Sequence, residues 1–190
     1  MNDQSGAQLK CLASRFFQSL DKESLGYIPK NEILRTLKKS GIQQKNHRIK
    51  HLIENIQNLK DPNKITCAEF VALVRDDIVF IQKILEGNLV IPDFETFCEE
   101  VTEIFTKTKG NTKGKVADYI PQLSRVNPEK YALSICTIDG QQFNIGDVKD
   151  NFCVQSSSKP FSYCMALEEF GTNEVHHHVG REPSGKGSTN

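Results

Sequence analysis

Residues 131–147 read YALSICTIDGQQFNIGD. Tyr131 to Ile138 is a run of apolar and small residues suited to a strand, and Gln141 to Ile145 is a second. The pair Asp139-Gly140 lies between them. Asp-Gly between two such runs predicts a hairpin closed by a type I′ turn, which needs positive φ at both central positions. Downstream, Ser156 to Phe170 reads as a helix: its start is rich in serine, Pro160 falls in its first turn, and Gly171 is placed to end it. Strand, strand, helix is the opening of an α+β domain.

Upstream the pattern is different. Residues 8 to about 108 carry apolar side chains at helical spacing. Leu9, Leu12, Phe16, Phe17 and Leu20 begin it, followed by Ile33, Leu34 and Leu37 in Asn31 to Lys39. Ile49, Leu52, Ile53 and Ile56 continue it in His47 to Leu59. Thr66 to Leu85 and Pro92 to Thr106 complete the set, with breaks at Gly26, Gly41, Asp61-Pro62 and Gly87-Asn88. The stretch TKTKGNTKGK, Thr106 to Lys115, has no large apolar residue and reads as a solvated connection. The expected organisation is a helical module over 1–108, a linker over 109–115, an α+β segment over 116–185 and a disordered tail over 186–190.

Several function classes are excluded early. The chain has 24 basic and 24 acidic residues, and binding to nucleic acid or to an anionic membrane by counterion release needs a basic surplus. No aromatic residues interleave the lysines near 107–115, so a single-strand-binding reading is poor. No stretch is long and apolar enough to span a bilayer, and the N-terminus has neither a secretory core nor a transit-peptide pattern. The six cysteines contain no CxxC pair and are expected to be buried free thiols of a reducing compartment. The run His176, His177, His178 does not converge on one ion well, and no metal is expected there.

Asp21 to Glu32, DKESLGYIPKNE, spans twelve residues between two helices. It has Asp at position 1, an acid at 3, Gly at 6, Ile at 8 and Glu at 12, which is much of the EF-hand calcium template. Leu25 at position 5 and Pro29 at position 9 supply no side-chain ligand. Asp61, Asn63 and Ile65 resemble the start of a second, shortened loop whose closing acid, Glu69, comes too early. The expectation is an ion-free EF-hand-like pair used for packing or interaction.

The segment FCVQSSSKP, Phe152 to Pro160, places Ser156 and Lys159 three residues apart at the head of a helix. That spacing puts both side chains on one face. A serine hydroxyl becomes a nucleophile when a base takes its proton, and a lysine can be that base when burial or a nearby cation lowers its proton affinity. Free N–H groups at the helix start can stabilise an oxyanion. The plain alternative is that Ser156 or Ser157 caps the helix and Lys159 is a surface lysine.

The surroundings favour chemistry. The chain resembles the glutaminase family, β-lactamase-like serine enzymes that hydrolyse glutamine to glutamate and ammonia. The matching stretches are GKVADYIPQL (114–123), YALSICTIDGQQFNIGD (131–147), FCVQSSSKP (152–160) and VGREPSG (179–185), in the family's order, and the helical module resembles that of the animal members. The resemblance implies Ser156 as nucleophile, Lys159 as its activating base, Tyr119 as a catalytic and substrate-contacting tyrosine, and Gln155 as a pocket residue, with no metal and no cofactor apart from phosphate activation. It implies L-glutamine as substrate, a homotetramer or association with full-length subunits, and a mitochondrial setting, a cytosolic one being the alternative.

After Gly185 the chain departs from the family, whose further substrate contacts and most of whose fold lie beyond that point. About 75 residues after the linker are too few to bury such a domain's core. Lys159 would then sit in water, and this chain is expected to have little activity. The competing reading is a noncatalytic helical module that associates with full-length glutaminase. A calcium sensor is the third.

Overall fold

A computed structural model describes residues 2–59, 61 and 63–182; the tail expected over 186–190 lies outside them. The chain divides into two compact units. One comprises residues 1–111 with 131–148, the other 112–130 with 149–190. The hairpin at 131–148 therefore belongs with the helices, so the compact units do not follow the linear division drawn at residues 109–115.

In the first unit, α1 (Asn2–Leu20), α2 (Lys30–Lys39), α3 (Lys50–Gln57) and α4 (Cys67–Val74) form two helix–loop–helix pairs. Their loops are joined by a two-residue antiparallel ladder, β1 (Tyr27–Ile28) on β2 (Ile65–Thr66), with Ile28 opposite Ile65. Both isoleucines are buried and tie the loops to the core beneath, where Phe17, Leu52 and Phe70 pack with the apolar stripes of the helices. This is how an EF-hand pair couples its loops. Two further helices complete the unit, α5 (Ile78–Leu85) and α6 (Phe94–Lys109).

Local chemistry sets the boundaries. The Asp21 carboxylate accepts the Leu25 and Gly26 N–H groups at 2.8 Å each, so it closes its own loop as a turn residue. Glu32, the twelfth residue of that loop, pairs with Arg35 at 2.7 Å. Thr66 and Glu69 form a reciprocal capping box at the start of α4. The Thr66 bonds hold the Glu69 carboxyl below its ordinary range, and Thr96 does the same for Asp93 at the start of α6. A carboxyl lowered on folding adds stability above its unfolded pKa and loses it as pH falls through the lowered value. Thr66→Ala is expected to raise the Glu69 pKa toward that of a free glutamate, as followed by NMR titration of its side-chain carbon.

The single helix expected over 66–85 is instead two. It breaks at Arg75–Asp77, where buried Asp77 accepts the Leu52 N–H at 2.8 Å and so caps the start of α3 from a distance. The helix expected over 47–59 opens with a 3-10 turn, His47–Ile49, capped by the Asn46 side chain. α6 runs three residues beyond Thr106, into the expected linker. The cysteines differ from expectation in their burial. All six are free, but Cys11, Cys136, Cys153 and Cys164 are exposed and only Cys67 and Cys98 are half-buried. Burial raises the Cys98 thiol pKa. An apolar-periodic segment has an outer face too, and four of the cysteines lie on outer surfaces.

The hairpin is present as β3 (Ala132–Cys136) and β4 (Gln142–Gly146), antiparallel, with Leu133 opposite Ile145 and Ile135 opposite Phe143. Its turn is not type I′. Gly140 N–H donates to Thr137 O at 2.8 Å, and Gly140 has positive φ while Asp139 does not. The loop is three residues, Ile138-Asp139-Gly140, a type I turn followed by a left-handed glycine. At the other end of the hairpin Tyr131 stacks on Phe105 of α6, with ring centroids 4.6 Å apart.

The second unit contains residues 112–118 as irregular chain leading into it, a 3-10 turn at Leu123–Arg125, and α7 (Lys159–His178). Gly171, at φ 79° and ψ 162°, breaks α7 where a helix end was expected. Tyr163 and His176, on either side of the break, come within 3.2 Å through the phenol oxygen and Nε2. Val175 is the one buried apolar side chain of this unit among the described residues, while Phe152, Phe161, Met165 and Phe170 are all exposed. No helix among the described residues is long and apolar enough to cross a membrane.

Candidate functional site

The serine-rich segment lies wholly within the second unit. Gln155 has positive φ (50°), an uncommon conformation for a residue with a side chain, and it starts a 3-10 turn, Gln155–Ser158. Lys159 and Pro160 then begin α7, with Pro160 in the first turn, where its missing N–H is no loss.

The three serines are not equivalent. Ser157 Oγ donates to the Val154 carbonyl, and Ser158 Oγ donates to the Gln155 carbonyl at 2.9 Å. Both hydroxyls are thus used on the local backbone. Ser158, rather than Ser156 or Ser157, occupies the helix-cap position, and its side chain makes no capping bond. Among the described residues the Ser156 hydroxyl has no hydrogen-bond partner, and the side chain is exposed.

Tyr119 reaches this segment from residues far upstream. Its phenol donates to Gln155 Oε1 at 3.1 Å, and Gln155 Nε2 donates to Cys153 Sγ at 3.5 Å. The structure therefore brings together Tyr119, Gln155 and Ser156, with Lys159 one turn on. It does not join the serine hydroxyl to the lysine amine: the Lys159 backbone N–H donates to the Ser156 carbonyl, but its side chain is exposed and among the described residues makes neither a hydrogen bond nor an ion pair. An exposed alcohol and an exposed, unpartnered amine lack the dry surroundings that activate a nucleophile.

Two other sequence features can be placed. His178 lies 3.6 Å from Glu174, and His176 Nδ1 lies 3.0 Å from the Val179 carbonyl. Among the described residues no group of three or more His, Cys, Asp or Glu side chains is arranged to hold a metal ion. Sequence reasoning passed over Asp139 and Gln141, which are buried polar residues of the hairpin. No pattern marks their burial, because a polar residue at a hairpin turn ordinarily faces water.

Residues 114–188 match the family model described as glutaminase, and residues 12–92 match one described as an EF-hand domain. The mitochondrial liver isoform of glutaminase from Mus musculus is 36% identical over 162 residues, which is 83% of this chain and 27% of the mouse protein. A glutaminase from Trichormus variabilis is 43% identical over 86 residues, 45% of this chain and 26% of that protein. One from Corynebacterium efficiens is 44% identical over 88 residues, 46% of this chain and 21% of that protein. The chain spans less than a third of the length of these relatives. The mouse match is long enough to take in both the helical module and the serine segment.

Proposed function

We propose, from the premise that residues 114–188 are glutaminase-family sequence, that this chain carries the nucleophile segment of a glutamine-hydrolysing site of the β-lactamase-like serine type. Ser156 Oγ attacks the side-chain amide carbon of L-glutamine. Lys159 takes the hydroxyl proton and passes it to the leaving nitrogen, so ammonia departs and a glutamyl ester remains. Water then hydrolyses the ester to glutamate and restores Ser156. Tyr119 and Gln155 line the substrate side and hold its polar groups. No metal or cofactor enters the reaction, and phosphate acts as an activator.

The observation that carries this reading is Ser156 itself. It is the one hydroxyl of three adjacent serines not committed to a local carbonyl, it stands beside the Tyr119–Gln155 pair, and it is one turn from a lysine. A positioned general base contributes roughly 10²–10⁴ to the rate, and Lys159 in its exposed setting does not supply that factor. The chain by itself is therefore expected to turn glutamine over slowly.

The test has two parts. Ammonia release from L-glutamine by the purified chain, with and without phosphate, is expected to lie close to the Ser156→Ala baseline. Labelling by an electrophilic glutamine analogue, read by mass spectrometry, is expected at Ser156, absent in Ser156→Ala and retained in Ser157→Ala. Labelling spread equally over Ser156, Ser157 and Ser158 would overturn the assignment.

A second reading rests on where the core lies. The helical unit holds nearly all the buried apolar side chains, while the serine-bearing unit holds Val175. In this reading the chain is a noncatalytic module that associates, through its helices, with glutaminase subunits, in the mitochondrial setting for which the mouse relative is named. Co-sedimentation with a full-length glutaminase that is unchanged by Ser156→Ala would favour it.

A further inference from the structure

The tip of the hairpin is buried in the helical part of the first unit. Gln141 is 0% exposed although it is a primary amide. Its Oε1 accepts the Ile91 N–H at 3.0 Å, and its Nε2 donates to the carbonyls of Ile91 at 2.8 Å and Ser40 at 3.1 Å. Asp139 is 6% exposed and accepts the Val90 N–H at 2.9 Å, while its other oxygen lies 3.2 Å from Arg48 and 3.7 Å from Lys83. The backbone joins in: Gln142 N–H donates to the Gly41 carbonyl at 2.8 Å, and Gln141 bridges Ile42 as in a strand pair.

The socket is made of groups the helices do not satisfy for themselves. Ser40 and Gly41 lie at the end of α2, where the last carbonyls of a helix have no intrahelical donor. Val90 and Ile91 lie in the irregular stretch between α5 and α6. Their backbone groups and two cations converge on one carboxylate and one amide, and both donor hydrogens of the amide are used. Buried polar groups satisfied this completely make a contact specific, and losing one partner strands the other.

We propose that the helical module is a receptor for the Asp139-Gly140-Gln141 turn, and that this contact, rather than the connecting segment after α6, holds the hairpin to the helices. The ligand class is a tight hairpin turn presenting one carboxylate and one primary amide. The proposal stands whether or not Ser156 acts as described above. It makes the EF-hand-like part a fixed scaffold for the first strands of the glutaminase-family sequence, with Asp139 and Gln141 as positioning residues.

The experiment uses the whole chain with a protease site placed between Asn111 and Lys115. After cleavage, the helical fragment and the fragment carrying the hairpin are expected to co-elute on gel filtration. In the Asp139→Ala, Gln141→Ala double variant their dissociation constant is expected to rise at least about 30-fold, consistent with stranding more than one buried polar group. Arg48→Ala, on the socket side, is expected to weaken the association in the same direction and to add less than its full effect to Asp139→Ala. Helical circular dichroism of the uncut variants should match the parent, which excludes simple unfolding. Fragments that separate on cleavage of the parent, or that stay equally tight in the double variant, would overturn the proposal.

Discussion

Phe70→Ala is expected to destabilise the chain by about 3–5 kcal/mol, the range for removing a large buried aromatic side chain. Phe70 is 1% exposed on α4, and its ring lies tilted against Phe17 of α1, with centroids 5.9 Å apart. α1 and α4 are the outer helices of the two loop-joined pairs, so the cavity would open between them. A small domain has about 5–15 kcal/mol in total, so the urea midpoint of the helical signal should fall steeply. Phe161→Ala is the control. Phe161 is 72% exposed on α7, and its loss should move the midpoint by less than about 0.5 kcal/mol. Equal effects would contradict the burial that sets Phe70 apart from Phe161.

That contrast follows from features of the sequence that could be read and others that could not. The stripe through Phe16 and Phe17, with Leu20 half-buried beside it, and the stripes through Ile33, Leu37, Leu52, Ile56 and Phe70, were legible because helical period and core burial coincide there. The twelve-residue loop was legible from Asp21, Gly26 and Ile28. The partner of Ile28, Ile65, is buried by a ladder only two residues long, which periodicity cannot register. The break at Asp77 was hidden because its cause is the Leu52 N–H, far along the chain.

The hairpin shows the same limit. Two strand runs flanking Asp-Gly announced it, yet turn type depends on the φ of Asp139, whose carboxylate is held by Arg48, Lys83 and the Val90 N–H. Local propensity pointed to a type I′ turn, and the contacts that hold Asp139 come from residues far along the chain. Of the candidate site, no spacing in the sequence announces the contact of Tyr119 with Gln155, and nothing local in FCVQSSSKP says how dry Lys159 will be. Burial of a single side chain is a property of whatever packs over it, so spacing alone does not determine it.

Gly41→Ala is expected to have the second largest effect, about 2–4 kcal/mol, and to do more than destabilise. Gly41 has φ +76°, and a methyl group there would meet the Phe94 ring at 2.4 Å. The left-handed conformation costs a residue with a Cβ about 1–2 kcal/mol, and forcing an atom into packed space adds about 1–3 kcal/mol. Phe94 is buried at the start of α6, so the ring cannot simply swing into solvent. The strain falls on the carbonyl that receives the Gln142 N–H and on the neighbour of Ser40, which receives the Gln141 amide. If the helices hold the hairpin through this end of α2, amide exchange of residues 132–146 should accelerate along with the loss of stability. It should do so under conditions where the β1–β2 amides remain protected. If hairpin and helices open together instead, Gly41 serves the core alone, and the tip of the hairpin is merely resting on it.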